Sequence, residues 1–268
     1  MKRLFDMAII AIWVASLAGL VWHDLWPAWT AGTAPLVVPA GGIDKPIQMQ
    51  FVIEGSRWGR MGRSWAEFWR LETGAMARST TVLEAGPVRR TIRIESTVNY
   101  DTQDRLDQMK IWVYGLPVSP VQIEAQSFGE DFPCRIRIGQ QRHDFTLRQE
   151  MATAFGEVFR PFVYLKGLKV GQSWRIASIN PLGSLWGEDI APTPIVARVV
   201  SRETIEHLGR RVKCFRVEAQ DAVAWVDDDG RVLLQQVRAP MLGTISIRLL
   251  DGFDEEALRA AREQAAKW

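Results

Sequence analysis

The sequence is poor in the residues that most often build metal and redox sites. Its 268 residues include two cysteines and three histidines. Two cysteines are too few for a zinc ribbon or a disulfide-rich scaffold. The histidines are His23, His143 and His207, and no pair of them has the spacing of a zinc-binding helix motif. The sequence therefore predicts no metal and no cofactor.

A strong net charge is also absent. The chain has 33 Lys and Arg against 31 Asp and Glu, and the formal charge of +2 is too small for nucleic-acid binding by electrostatics alone. A composition of 47% hydrophobic and 24% charged residues is typical of folded proteins and excludes wholesale disorder. The length suits one large β domain or two small domains.

The N-terminal segment predicts a membrane anchor. A basic start precedes an uncharged apolar run from Met7 to Trp22. As a helix this run spans about 24 Å, and flanking apolar residues extend it towards the roughly 30 Å of a bilayer core. Trp22, Trp26 and Trp29 follow, as in an aromatic belt at the membrane interface. We expect a transmembrane anchor over residues 1–29, with the basic start on the cytoplasmic side.

Two other interpretations of this segment stay open. Residues 16–18 (Ser-Leu-Ala) have the small residues of a signal-peptide cleavage site before Gly19. A buried helix of a soluble domain is the third interpretation. The anchor and the signal peptide both predict export. The anchored form places the protein in the inner (cytoplasmic) membrane, as a single-pass protein with its C-terminal domain in the periplasm.

Most of the remaining chain has the pattern of an antiparallel β-sheet. Residues 30–46 are rich in Gly, Pro, Ala and Thr and predict a tether. Apolar and polar residues then alternate with a period of two, as in half-buried strands. The predicted strands are 47–54, 61–72, 80–84, 90–98, 109–114, 121–127, 134–138, 144–148, 173–179, 195–206, 211–219, 223–226, 231–237 and 244–250. Because no helices alternate with them, we expect a strongly bent, half-barrel-like antiparallel sheet over residues 47–252.

Two helical segments are expected besides the anchor. A short one occupies Met151–Phe159, and a C-terminal helix occupies residues 253–268. In the second, acidic residues begin the helix and arginines follow, which suits the helix dipole. This helix can lie on the sheet or dock onto a partner.

Catalytic motifs are incomplete in this chain. A serine-hydrolase elbow needs the pattern G-x-S-x-G, and both Gly62–Ala66 and Gly171–Arg175 lack the second glycine. The acidic run Asp227–Gly230 suggests a calcium loop, but the twelfth position from Asp227 is Arg238 instead of glutamate. A hairpin turn explains this run better. We therefore predict that the protein is not an enzyme.

Arginine and tryptophan supply the candidate binding residues. Gly55–Trp65 combines glycines with three arginines, and predicts either a cradle for an anionic headgroup at a membrane or a bent hairpin with solvated arginines. Tryptophans of the sheet would line a lipid cavity on one face, mark a partner surface on the other, or pack in the core. The candidate ligand or partner surface is Arg57, Trp58, Arg60, Arg63, Trp65, Trp69, Trp112 and Trp225.

The two cysteines, Cys134 and Cys214, both lie in predicted strands. Outside the cytoplasm they can form one disulfide if their strands are neighbours. The sequence leaves that pairing open.

Three segments resemble a known group of domains. They are Leu168–Trp174, Val212–Glu218 and the hairpin Ala224–Leu233, and the opening Gln50–Gly62 fits the same pattern. In this order they resemble uncharacterised bacterial envelope β domains related to Lol-type lipoprotein-carrier half-barrels, over residues 47–250. The resemblance implies an antiparallel sheet around an apolar space and no catalytic residues. The anchor predicted here is a departure from the carriers, which shuttle.

Two functions follow as hypotheses. The first is a non-enzymatic, membrane-anchored periplasmic accessory subunit of an inner-membrane complex such as a transporter. The second is a half-barrel that binds a lipid, an acyl chain or a lipoprotein. The expected partners are the membrane and a membrane-protein complex, and no nucleic acid is expected.

Overall fold

The computed structural model describes residues 31–32, 35–37, 45–57, 59–85, 90–115, 119–148, 164–178, 193–239 and 243–265. The predicted anchor with Trp22, Trp26 and Trp29, the predicted helix 151–159 and Trp58 lie outside these residues. Among the described residues, no helix combines the length and the apolar character that crossing a bilayer requires.

The described chain is mainly β. Its strands are β1 (Leu36–Val37), β2 (Ile47–Gly55), β3 (Gly59–Leu71), β4 (Gly74–Ala85), β5 (Arg90–Tyr100), β6 (Leu106–Tyr114), β7 (Val121–Gln126), β8 (Asp131–Ile138), β9 (Gln141–Arg148), β10 (Tyr164–Leu165), β11 (Ser173–Ser178), β12 (Thr193–His207), β13 (Arg210–Ala219), β14 (Ala222–Val226), β15 (Val232–Ala239) and β16 (Gly243–Leu249). A helix, α1, spans Glu255–Ala265. The predicted antiparallel sheet and C-terminal helix are thus confirmed.

Fourteen strands form one open antiparallel sheet. Its order is β11-β12-β13-β14-β15-β16-β2-β3-β4-β5-β6-β7-β8-β9. Strands next to each other in the chain are neighbours in the sheet, and β16 pairs with β2 to join the two ends of the chain. The strands β11 and β9 are the two edges, so this sheet is not closed.

Alternating side chains give the sheet two different faces. In β8, Phe132, Cys134, Ile136 and Ile138 are buried and the residues between them are exposed. Cross-strand pairs place one apolar cluster on this face of β2–β9 and a second on the same face of β11–β15. The pairs Ile53–Ile247 and Ile247–Gln235 connect the two regions. We call the side with both clusters the apolar face and the opposite side the polar face.

The predicted turns are found where the chain must reverse. Asp227 accepts a hydrogen bond from the backbone N–H of Arg231, and Gly230 has φ +89°. A positive φ is the conformation for which glycine is favoured in such hairpins. The acidic run is therefore a hairpin turn, as predicted, and Leu208-Gly209 forms the turn between β12 and β13.

The segment predicted as an aperiodic tether carries a strand. Residues Leu36–Val37 pair with Tyr164–Leu165, and the Gly32 N–H donates to the carbonyl of Ser173 at 3.0 Å. These contacts use backbone groups only. Since backbone pairing needs no side-chain pattern, composition alone could not reveal it.

The helix α1 lies on the polar face. The side chain of Asp254 caps it by accepting a hydrogen bond from the N–H of Ala257 at 2.9 Å. Leu258 is buried with 4% of its surface exposed. Of the two predicted locations for this helix, the structure therefore shows the one on the sheet.

The alternation in β8 can be tested by a pair of neighbouring substitutions. We expect Ile136→Ala to lower the free energy of unfolding by about 2–5 kcal/mol because it leaves a cavity in the apolar cluster. Arg135→Ala, on the exposed side, is expected to cost about 0.5 kcal/mol. Urea denaturation measures both, and equal losses would contradict the assignment of the two faces.

Candidate functional site

Four of the predicted tryptophans lie on the polar face. Trp65 on β3 is opposite Thr80, Thr80 is opposite Glu95, and Glu95 is opposite Trp112 on β6. Directly opposed residues in a sheet point to the same side. Trp69 follows Trp65 by four positions on β3 and shares that side. These tryptophans therefore lie on the side of the sheet opposite both apolar clusters.

Trp225 reaches the same face from the other half of the sheet. Its cross-strand neighbours lead through Leu234, Arg248 and Val52 to Arg63. The indole Nε1 of Trp225 donates a hydrogen bond to a carboxylate oxygen of Glu203. The polar face thus carries aromatic side chains on both sides of the β16–β2 junction.

The four tryptophans differ in exposure. Trp65 is only 4% exposed, whereas Trp69, Trp112 and Trp225 are half-buried. One cross-strand row of charged residues passes between Trp69 and Trp112 and contains Glu67, Arg78, Lys110, Glu124, Arg135 and Asp144. Aromatic residues and arginine are enriched at protein interfaces.

The three arginines of the predicted cradle differ in exposure and in contacts. Arg57 and Arg60 are exposed at the β2–β3 hairpin. The backbone N–H of Thr244 donates to Ser56 Oγ at 3.1 Å, which holds this hairpin against β16. Arg63 is engaged by α1, because its Nη1 lies 3.2 Å from Asp254 Oδ2.

A set of polar contacts holds α1 over β2–β5. Arg262 Nη2 lies 2.7 Å from Glu67 Oε2, and the N–H of Asp254 donates to Gln50 Oε1 at 2.8 Å. Arg93 is 7% exposed, pairs with Glu95 and donates to the carbonyl of Ala261 at 2.9 Å. A guanidinium near the C-terminal end of a helix also interacts favourably with the helix dipole.

The two cysteines do not form a disulfide. Both are free and buried. Cys134 faces the apolar cluster, whereas Cys214 is opposite Glu203 on the polar face, and nine strands separate β8 from β13 in the sheet. Burial raises the pKa of Cys134 to about 12 and that of Cys214 to about 11, so both are neutral thiols at pH 7. The pairing that the sequence left open requires neighbouring strands, and β8 and β13 are not neighbours.

Sequence reasoning missed an open groove at the β14–β15 turn. It has a volume of about 550 Å³ and is lined by Tyr164, Lys166, Gly167, Asp228, Asp229 and Arg231. Lys166 lies over the Tyr164 ring at 6.0 Å, and burial raises the pKa of Tyr164. Its aspartates are paired with Arg202 and Arg231. The acidic run was visible in the sequence, but its neighbour at residues 164–167 was not.

The two described histidines lie in strands. His143 lies in β9, and His207 ends β12 with 7% exposure. Burial, together with nearby Arg248, lowers the pKa of His207. Within the described part of the chain, His, Cys, Asp and Glu form no group of three that could hold a metal ion.

These features define an open antiparallel β protein with an aromatic, mixed-charge face partly covered by a helix. The fold is similar to a β-barrel-like protein of the domain of unknown function DUF1849 from Brucella abortus, with TM-score 0.47, 12% identity, and coverage of 78% of this chain and 98% of that one. A DUF1089 family protein from Pseudomonas aeruginosa has TM-score 0.34 and 15% identity, covering 67% and 90%. No protein-family model matches the sequence, and no curated protein is significantly similar. Neither solved structure assigns a function.

The polar contacts beneath α1 predict unequal roles for two arginines. We expect Arg93→Met to cost about 2 kcal/mol, because it removes a buried guanidinium that pairs with Glu95 and donates to the carbonyl of Ala261, which leaves that carbonyl without this charged donor. Arg70→Met is the control, since Arg70 pairs with Asp104 at 3.1 Å on the surface. It should cost about 1 kcal/mol or less. Urea denaturation gives both values, and similar losses would refute a structural role for Arg93 under α1.

Proposed function

We propose that the protein is a non-enzymatic, membrane-anchored periplasmic accessory subunit that docks onto an inner-membrane complex through its polar face. The observation that carries the proposal is the placement of Trp69, Trp112 and Trp225, half-buried on the face opposite both apolar clusters. The anchor at residues 1–29 belongs to this proposal as its means of attachment.

The position of these tryptophans favours docking over core packing. Side chains on the polar face add nothing to the two apolar clusters behind the sheet. Tryptophan is among the residues most enriched at the energetic centres of interfaces, because it combines a large apolar area with one N–H donor. Charges of both signs around them supply specificity for a partner of complementary charge.

The docking proposal can be tested on full-length protein extracted gently from its own membrane. Native mass spectrometry should show the chain with additional mass in steps that match other subunits. We expect the double substitution Trp69→Gln and Trp112→Gln to abolish that added mass, since both side chains lie in the docking face.

The control for this experiment is Phe128→Gln. Phe128 is 81% exposed in the turn before β8, and replacing it removes an exposed aromatic side chain outside the strands that carry Trp69 and Trp112. Loss of the partner in this control as well, or retention of the partner in the double variant, would contradict docking through the tryptophans.

The second candidate function is the binding of a lipid or acyl chain. One observation favours it, namely that a single apolar face extends across the fourteen-stranded sheet. The resemblance to Lol-type half-barrels points the same way. In such a protein the acyl chain would lie against that face.

Trp174 distinguishes the two candidates. It is 3% exposed and, among the described tryptophans, it alone belongs to an apolar cluster. If an acyl chain binds there, palmitate should shift the tryptophan emission, and Trp174→Phe should remove the shift while Trp112→Phe leaves it. If titration with palmitate does not shift the tryptophan emission, acyl-chain binding is excluded and the docking function remains.

A further inference from the structure

The helix α1 matches β3 in spacing as well as in charge. Asp254, Leu258 and Arg262 are four residues apart and form one stripe along α1. The eight-residue step from Asp254 to Arg262 advances by about 12 Å, and the four-residue step from Arg63 to Glu67 on β3 spans about 13 Å. The acid–leucine–arginine stripe therefore meets arginine at one end and glutamate at the other, at 3.2 and 2.7 Å.

Besides the buried contact from Arg93, the side-chain contacts of α1 with the sheet involve partly exposed groups. The side chains of Asp254 and Arg262 are 46% and 30% exposed, and Gln48 donates to Glu255 at 3.4 Å on the surface. Water competes for such contacts, so each contributes little net stability. Among the residues of α1 whose side chains the structure describes, Leu258 alone has less than a tenth of its surface exposed. Another helix that makes the same contacts can therefore replace α1.

The surface beneath α1 has unused hydrogen-bond donors. Nε of Arg63, Nε of Arg93 and Nε1 of Trp65 are buried and have no hydrogen-bond partner. Trp65 lies on β3 between Arg63 and Glu67, on the side that α1 covers. A buried donor without an acceptor costs about 1–3 kcal/mol. A helix that offers more carboxylate or amide oxygens here would satisfy this surface better than α1 does.

We propose that Gln48, Gln50, Arg63, Trp65, Glu67 and Arg93 form a helix-docking site in which α1 is an exchangeable occupant. The other occupant is a helix of the partner protein with an acidic residue, a leucine and an arginine at positions i, i+4 and i+8, and with further acceptor groups. This proposal rests on the docking function above, and it names the element that the polar face receives. Trp69 on the same strand and Trp112 in the same cross-strand row as Trp65 extend the contact surface beyond the helix.

The length of the link between β16 and α1 determines how easily another helix can replace α1 at the site. Five residues, 250–254, separate the end of β16 from the first residue of α1. Such a short link keeps the effective concentration of α1 at its site on the order of millimolar. A separate helix of the same sequence therefore binds well only after α1 is loosened.

The test uses the full chain and a labelled synthetic peptide with the sequence of residues 254–265, whose binding is followed by fluorescence anisotropy. The double substitution Asp254→Asn and Arg262→Gln weakens the attachment of α1 to the sheet. It leaves the residues of the site that lie on the strands unchanged. We expect this variant to bind the peptide at least tenfold more tightly than the wild type. Adding Arg63→Gln should abolish the gain. Arg259→Gln is the control, since its pair with Glu263 at 3.9 Å lies on the exposed side of α1.

Amide hydrogen exchange of α1 makes each outcome decisive. Faster exchange in the double variant together with tighter peptide binding supports the proposal. Faster exchange without tighter binding overturns it, and so does unchanged exchange, because the polar contacts would then not hold the helix. If the chain forms a concentration-dependent dimer that the peptide dissociates, the other occupant of the site is α1 of a second copy. That result would overturn the assignment to a partner protein. Loss of the docking function would instead appear as no added mass in native mass spectrometry, whatever the peptide does.

Discussion

The pairing of β16 with β2 is the interaction on which the rest of the structure depends. Five residue pairs, from Ile245–Gly55 to Leu249–Phe51, join the last strand of the sheet to the first. This junction makes one fourteen-stranded sheet from two meanders and keeps their apolar clusters on one face. Because β16 lies next to β2 and one strand away from β3, the short link after β16 places α1 over these strands on the polar face.

The two faces of the sheet carry different kinds of side chains. The apolar face buries most of the large hydrophobic side chains, whereas the polar face carries Trp69, Trp112 and Trp225 among charged residues. Burial of the hydrophobic side chains on the apolar face stabilises the fold. The aromatic side chains on the polar face are available for contact with other molecules. This placement favours docking over a ligand cavity lined by those same side chains. The helix α1 occupies the central part of that surface, around Trp65.

Much of the fold was predictable from the sequence, because strands and turns depend on local patterns. The alternation in residues 134–138 and the Asp-Gly turn at 229–230 both identified real elements. The β1–β10 pair was not predictable, since its hydrogen bonds join backbone groups of segments more than 120 residues apart. For the same reason, the groove that brings Tyr164 and Lys166 to the Asp228–Asp229 turn gave no signal.

The amino-acid pattern alone predicts that the chain forms antiparallel strands, where most of them lie, and that tryptophan and arginine are the candidate binding residues. Those conclusions depend on the period of two and on turn chemistry, which act over a few residues. Tertiary structure alone decided that Cys134 and Cys214 lie on opposite faces and that Arg63 meets Asp254. Which strands become neighbours depends on the whole sheet order, and a shift of one position in register moves every side chain to the other face.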